Sequence, residues 1–384
     1  MNLRNKNFDI IVIGAGSVGV PIALYLAREK YKILVIDSLP SPGQGQNKKA
    51  IGGIRATHSD KAKISIGLEA IEIFSTWEEK YGDEIEWQTN GYSFPAYTEE
   101  HEKMLKDLLK IQKSFGLNID WISAKEYLKS VPGINRTGLR GSTYSPNDGS
   151  ASPYLALNAF YFKGLEYGAE YKFNEKVIDI RKEKNFIVKT NKGIYESKIV
   201  INASGNNAKD VGKMLGLKIP VQPDSHEGGI TEGVKSFFKP MVVDLRPGPG
   251  SKNYYFYQKA DGQVVFCITP EPPVQGTDSR ATSVFLPQVS KRMLDLYPKL
   301  ANLKVRRTWR GQYPATPDGF PILGETKITG FYLAVGMCGQ GFMLGPGVGK
   351  LLARQISGKM RENDQENLES LSLYRDFGKE EKFK

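Results

Sequence analysis

Cysteine is nearly absent: Cys267 and Cys338 stand alone in 384 residues, too few and too far apart for a disulfide framework or a thiolate metal cluster. Histidine is equally scarce, and His58, His101 and His226 show no ligand spacing, so no metal is expected. No run of 18 apolar residues occurs, which excludes a transmembrane helix. Met1 to Asn7 lacks the basic, apolar and small-residue regions of a secretion signal, and a cytoplasmic protein is expected. The net charge of +11 comes from lysines and arginines scattered among 42 acids. With no basic run and no aromatic–basic module, nucleic acid is not an expected partner.

Glycine, by contrast, is placed with purpose. Asp9 to Ile13 is an apolar run fit for a buried parallel strand, and Gly14, Gly16 and Gly19 follow it with GxGxxG spacing. Val20 to Arg28 has helical character, and Lys32 to Ile36 forms a second apolar strand ending at Asp37. This order describes a dinucleotide-binding βαβ unit. The first glycine allows the tight turn, the second lets a pyrophosphate approach the backbone, and the third lets helix and strand pack closely. The pyrophosphate sits on the helix N-terminus. An acid at position 37 suits a ribose hydroxyl pair and opposes a 2′-phosphate.

The remaining pattern predicts an α/β (α+β overall) fold. Helices are expected over Ser59–Tyr81, Thr98–Phe115, Ser152–Gly168 and Leu286–Tyr297, with a capping box at Ser123 and Glu126. Trp87–Tyr97 alternates like a strand pair. A β-meander is expected over Tyr171–Ile180, Phe186–Thr190 and Tyr195–Ile201. A Rossmann-type domain of three discontinuous segments, 1–84, 151–215 and 306–360, is therefore expected. A mainly antiparallel β substrate domain takes 85–150 and 216–305, and the polar tail 361–384 is expected to fray.

A second strand-to-helix turn, Gly336 to Phe342, presents backbone N–H groups that a reduced flavin, negative around N1 and the C2 carbonyl, can use. With the N-terminal fingerprint, Ile199-Val-Ile-Asn-Ala-Ser-Gly205 and Tyr313-Pro-Ala-Thr-Pro-Asp318, the chain resembles the D-amino-acid oxidase type of FAD enzymes. That group includes sarcosine oxidases, glycine oxidase and the β subunit of archaeal dye-linked L-proline dehydrogenase. The last shares the look of Gly53-Ile-Arg55, Asp148-Gly-Ser-Ala-Ser-Pro153, Arg307-Thr-Trp309 and Gly341-Phe-Met343.

The resemblance implies FAD contacts at Gly14, Gly16, Ser17, Val18, Gly19, Asp37 and Ser38. Gln46, Asn47 and Lys49 are implied against the pyrophosphate or flavin, Val177 at the adenine, and Ser204 and Gly205 closing on the cofactor. Gly339, Gln340, Gly341, Phe342 and Met343 are implied at the flavin pyrimidine edge. Arg55 matches an arginine that holds the substrate carboxylate. A structural arginine pairing with Asp60 or with flavin-loop groups is the rival reading. Tyr255, Tyr313 and Gln340 complete the implied catalytic set, with Gln340 standing where a histidine is common.

Departures from the group are informative. Gly311 replaces a cysteine that tethers flavin in some sarcosine oxidases, so FAD is expected to be non-covalent. Phe266 matches a lysine that activates oxygen, and Met343 a second substrate cation. The implied function is an FAD-dependent dehydrogenase oxidising the Cα–N bond of a small amino or imino acid by hydride transfer to flavin N5. An oxygen-using oxidase, or an electron-transfer subunit working beside a partner chain, are the alternatives.

Overall fold

The computed structural model describes residues 6–378, 380 and 381. Two eight-stranded sheets organise them. The first runs Ile322–Glu325, Phe331–Val335, Ile194–Asn202, Lys6–Ile13, Ile33–Ile36, Glu170–Lys172, and the strands Val177–Lys182 and Phe186–Thr190 extend from Ile194–Asn202. Lys6–Ile13 lies parallel to both its neighbours, and Ile10, Ile11 and Val12 are wholly buried. Burial on both faces is why the strand reads as one continuous apolar run. The expected three-stranded meander is present as Val177–Lys182, Phe186–Thr190 and Ile194–Asn202, but its first strand starts later than expected, because Glu170–Lys172 is a separate strand that pairs in parallel with Ile33–Ile36.

The second sheet runs Val305–Ala315, Gln222–Gly233, Gln263–Pro270, Ser251–Gln258, Met241–Asp244, Tyr92–Ala96, Gly141–Ser145, Asp120–Ser123. It is antiparallel except where Met241–Asp244 meets Tyr92–Ala96. Two expectations are corrected here. Residues 306–315, assigned by sequence to the first unit, pair with Gln222–Gly233 at the edge of the second sheet. Trp87–Tyr97 yields one strand, Tyr92–Ala96, not two. Strand alternation gives this sheet two characters. Tyr254, Phe256, Phe266 and Ile268 pack with Phe285, Val289 and Met293 of the helix Phe285–Leu296, while Tyr255, Cys267 and Thr269 face a cavity.

Helix Gly341–Ser357 locks the first unit together. A Cβ on Gly345 would stand 1.9 Å from the carbonyl oxygen of Ser17, and one on Gly347 2.3 Å from that of Ile66. On Gly349 it would come within 2.9 Å of Pro21 backbone. The helix is thus pressed against helix Gly19–Arg28 on one side and helix Lys61–Ser75 on the other.

The tail was expected to fray, and its described part does not. Helix Asp364–Ser370 sets Leu368 into the core, with Leu371 just beyond it. Arg354 bridges Glu69 at 2.7 Å and Asp364 at 2.6 Å. Arg375 meets Asp318 at 2.8 Å, and Glu381 meets Lys63 at 2.9 Å with both side chains fully buried. Polar composition concealed this docking because a few apolar anchors are joined to buried ion pairs with distant residues; an unpaired Lys63 would be strongly destabilising.

Gly345→Ala tests the helix contact. In an ordinary helix this change stabilises by up to about 1 kcal/mol. Overpacking against Ser17 should reverse the sign and cost about 1–3 kcal/mol, read by urea or thermal unfolding; unchanged or raised stability would contradict the packing.

Candidate active site

The turn after Lys6–Ile13 is built as its glycines require. Gly14 has φ +109°, and a Cβ there would lie 2.5 Å from the Ala203 carbonyl oxygen. At Gly19 a Cβ would lie 1.9 Å from the Gly14 carbonyl oxygen, so this glycine serves helix–strand contact and does not line the cavity. Gly16 differs: it lines the cavity, and a Cβ there meets nothing within 4 Å. That vacant approach leaves room for a group such as a pyrophosphate to reach the backbone. Asp37 turns one carboxylate oxygen to the Ala15 N–H (2.7 Å) and the other to the Leu39 N–H (2.8 Å).

One cavity of about 770 Å³ gathers nearly the whole expected set. Gly14, Gly16, Ser17, Val18, Asp37, Ser38, Gln46, Asn47, Lys49, Val177, Ser204, Gly205, Gly339, Gln340, Gly341, Phe342 and Met343 line it, with Arg55, Tyr255 and Tyr313. Gln340 precedes the first turn of helix Gly341–Ser357, and its buried Oε1 has no hydrogen-bond partner among the described residues. Asn206 Oδ1, beside the half-open turn at Gly205, is in the same condition. Buried oxygens of this kind are costly unless a ligand meets them. Open backbone at Gly16, two helix N-termini and orphaned amides together fit a dinucleotide of FAD's size and charge.

Several expected contacts prove to hold the protein to itself. Gln46 and Gln312 clamp each other: Gln46 Nε2 donates to Gln312 Oε1 (2.8 Å), and Gln46 Oε1 accepts from the Gln312 N–H (2.8 Å). Asn47 Nδ2 donates to the Pro153 carbonyl. The Lys49 carbonyl accepts from Trp309 Nε1 at 2.8 Å, and burial holds the Lys49 ammonium below its ordinary pKa.

Arg55 is nine-tenths buried, stacks over Phe94, donates to the Thr57 carbonyl and lies 3.2 Å from His58 Nδ1. Asp60, its proposed rival partner, is engaged in capping helix Lys61–Ser75 through Ala62 and Lys63 N–H. Burial, with Arg55 and Lys63 nearby, drives the His58 pKa well down, so that ring is neutral. Asp148 is pushed up to about 6 by burial, against hydrogen bonds from Thr57 and Ala56 and the charge of Arg55.

Tyr255 and Tyr313 bring their hydroxyls to 3.3 Å, and burial raises both far above the usual phenol range. They are donors at any physiological pH. Phe266 does not face the cavity; its ring fills the space beside Gly229 and stacks on Phe285. The cavity-facing positions of that strand are Cys267 and Thr269. Cys338 is a packing residue, its thiol raised by burial and set against Thr316 and the Gly336 carbonyl.

Sequence reasoning missed His226, which lines the cavity and bonds to Asp224. The signal was the Asp224-Ser-His226 alternation on a strand, which puts both side chains on one face. Among the described residues no three His, Cys, Asp or Glu side chains are grouped to hold a metal, and no helix is long and apolar enough to cross a membrane.

A nucleotide cradle closed at the far end by a second helix N-terminus, over a chamber with a buried arginine, defines a flavin-dependent oxidoreductase. The chain belongs to the FAD dependent oxidoreductase family, whose model matches residues 9–355. It is similar to the crystal structure of L-proline dehydrogenase from P. horikoshii, with 31% identity, TM-score 0.90, and 97% and 98% of the two chains covered. It is 26% identical to glycine oxidase of Geobacillus kaustophilus, covering 97% of this chain and 98% of that one. To mitochondrial dimethylglycine dehydrogenase of Homo sapiens it is 25% identical over 91% of its own length, spanning 42% of that longer protein.

Gly16→Val should leave the fold intact, since the new side chain enters open space. FAD affinity should fall about 100-fold, equivalent to about 2.8 kcal/mol, in a titration of apoprotein; undiminished affinity would remove the pyrophosphate from this turn.

Proposed function

We propose that this protein is a dehydrogenase that oxidises the Cα–N bond of a small amino or imino acid, with FAD held non-covalently. The observation that carries the reading is Arg55: a buried guanidinium lining the same cavity as both glycine-rich turns. When bound, FAD supplies the hydride acceptor. Arg55 grips the substrate carboxylate with its planar donor fork. Tyr255 and Tyr313 donate hydrogen bonds and wall the chamber, and the sheet face beneath keeps water out. The N–H groups opening helix Gly341–Ser357 favour negative charge at the cofactor's pyrimidine edge. Gly311 offers no side chain for a covalent tether.

One strand of the cavity favours a dehydrogenase over an oxidase. Oxygen reduction passes through superoxide, which a fixed cation stabilises. The strand where the resemblance would place a lysine presents Cys267 and Thr269 to the cavity. Electrons then leave to another carrier, and the small-molecule substrate is the partner the cavity is shaped for.

Anaerobic addition of proline, sarcosine or glycine should bleach the flavin absorption band, and NADH should not; bleaching by NADH alone would reverse the assignment. Arg55→Met should raise KM for the responding amino acid at least about 30-fold, as loss of a buried charge pair costs about 2–5 kcal/mol, while kcat changes little. An unchanged KM would place the carboxylate elsewhere.

A further inference from the structure

Strand Gln222–Gly233 turns Asp224 and His226 to the cavity side of the second sheet, opposite Tyr313 and Gly311 of strand Val305–Ala315. The His226 ring, over nine-tenths buried, stacks on Tyr313 with centroids 3.8 Å apart and planes 19° apart. Its Nε2 lies 3.0 Å from Asp224 Oδ2. Its Nδ1 and Asp224 Oδ1 are buried, and neither has a hydrogen-bond partner among the described residues. A carboxylate behind one ring nitrogen and an unmet second nitrogen is the arrangement of an oriented base.

Resting on the amino-acid reading above, we propose that His226, oriented by Asp224, takes the proton from the substrate's ammonium group. Amino and imino acids carry a protonated nitrogen near neutral pH, and without its lone pair that nitrogen cannot assist loss of hydride from Cα. In the step proposed here an ammonium N–H bond breaks and an Nδ1–H bond forms. The nitrogen keeps the electron pair, no group is oxidised, and Asp224 holds the imidazolium charge. Other groups near His226 cannot do this. Tyr255, Tyr313 and Cys267 are held protonated by burial, Cys267 up to about 11. Lys49 sets the aliphatic part of its side chain beside Gly311. Glu227, the next residue, turns its carboxylate to Thr282 N–H and Oγ1. Asp37, Glu175 and Asp210 line the part of the cavity built by the first sheet.

The test compares FAD-loaded wild type with His226→Asn and Asp224→Asn, measuring kcat/KM against pH with a dye acceptor. Two substrates are used: proline, and a proline analogue whose ring nitrogen is already neutral near pH 7. With proline, His226→Asn should lose about 100-fold near neutrality and recover about tenfold per pH unit as the free amine forms. With the analogue it should stay within about threefold of wild type. Asp224→Asn should show the same substrate-selective loss in smaller degree. Flavin content and melting temperature should match wild type, and a variant that fails them is replaced by His226→Gln under the same criteria. Full proline activity of His226→Asn at neutral pH, or equal loss on both substrates, overturns the proposal. Wild type inactive on every amino acid overturns the functional reading and this step with it.

Discussion

Three glycines in one helix set the rest of the molecule. Because Gly345, Gly347 and Gly349 lack side chains, helix Gly341–Ser357 can lie against Ser17, Ile66 and Pro21 at backbone distance. Both helices that can face a cofactor, this one and Gly19–Arg28, then open toward the same cavity. Each N-terminus carries partial positive charge and unsatisfied N–H groups. Neither alone distinguishes flavin from nicotinamide; two of them, separated by a cavity that also holds Arg55, do.

The second sheet supplies what the first cannot. Its strands have one apolar face closed by helix Phe285–Leu296 and one polar, aromatic face turned to the cavity. A shift of one residue exchanges those faces, which is why matching Phe266 to a catalytic position misplaces the side chain, while its neighbour Cys267 stands in the chamber. The Gln46–Gln312 clamp and the Trp309–Lys49 bond tie this sheet to the loop that follows the first βαβ unit. The loop that carries Gln46 and Lys49, two residues implied at the ligand, is thereby fixed to the second sheet.

Legibility followed locality. Gly14, Gly16 and Gly19 announce their roles because turn, approach and packing are all settled within a few residues of chain. Thr98, Ser123 and Ser152 likewise accept the N-cap hydrogen bonds their positions imply. Long-range relations were hidden. The pairing that puts 306–315 into the second sheet depends on a partner some eighty residues earlier. The tail's order depends on Lys63 and Asp318, distant ion-pair partners of Glu381 and Arg375 in an otherwise polar segment. His226 was legible as one face of a strand, but nothing local says which face meets a ligand.

The central claim is that one FAD molecule joins the two glycine-rich turns. A crystal structure of the flavin-bound protein tests it most directly. It should place the pyrophosphate within hydrogen-bond reach of the amides at Gly16–Val18, and the pyrimidine edge of the same molecule at the amides of Gly341–Met343. A pyrophosphate bound elsewhere, or a flavin ring away from the second turn, would contradict the account.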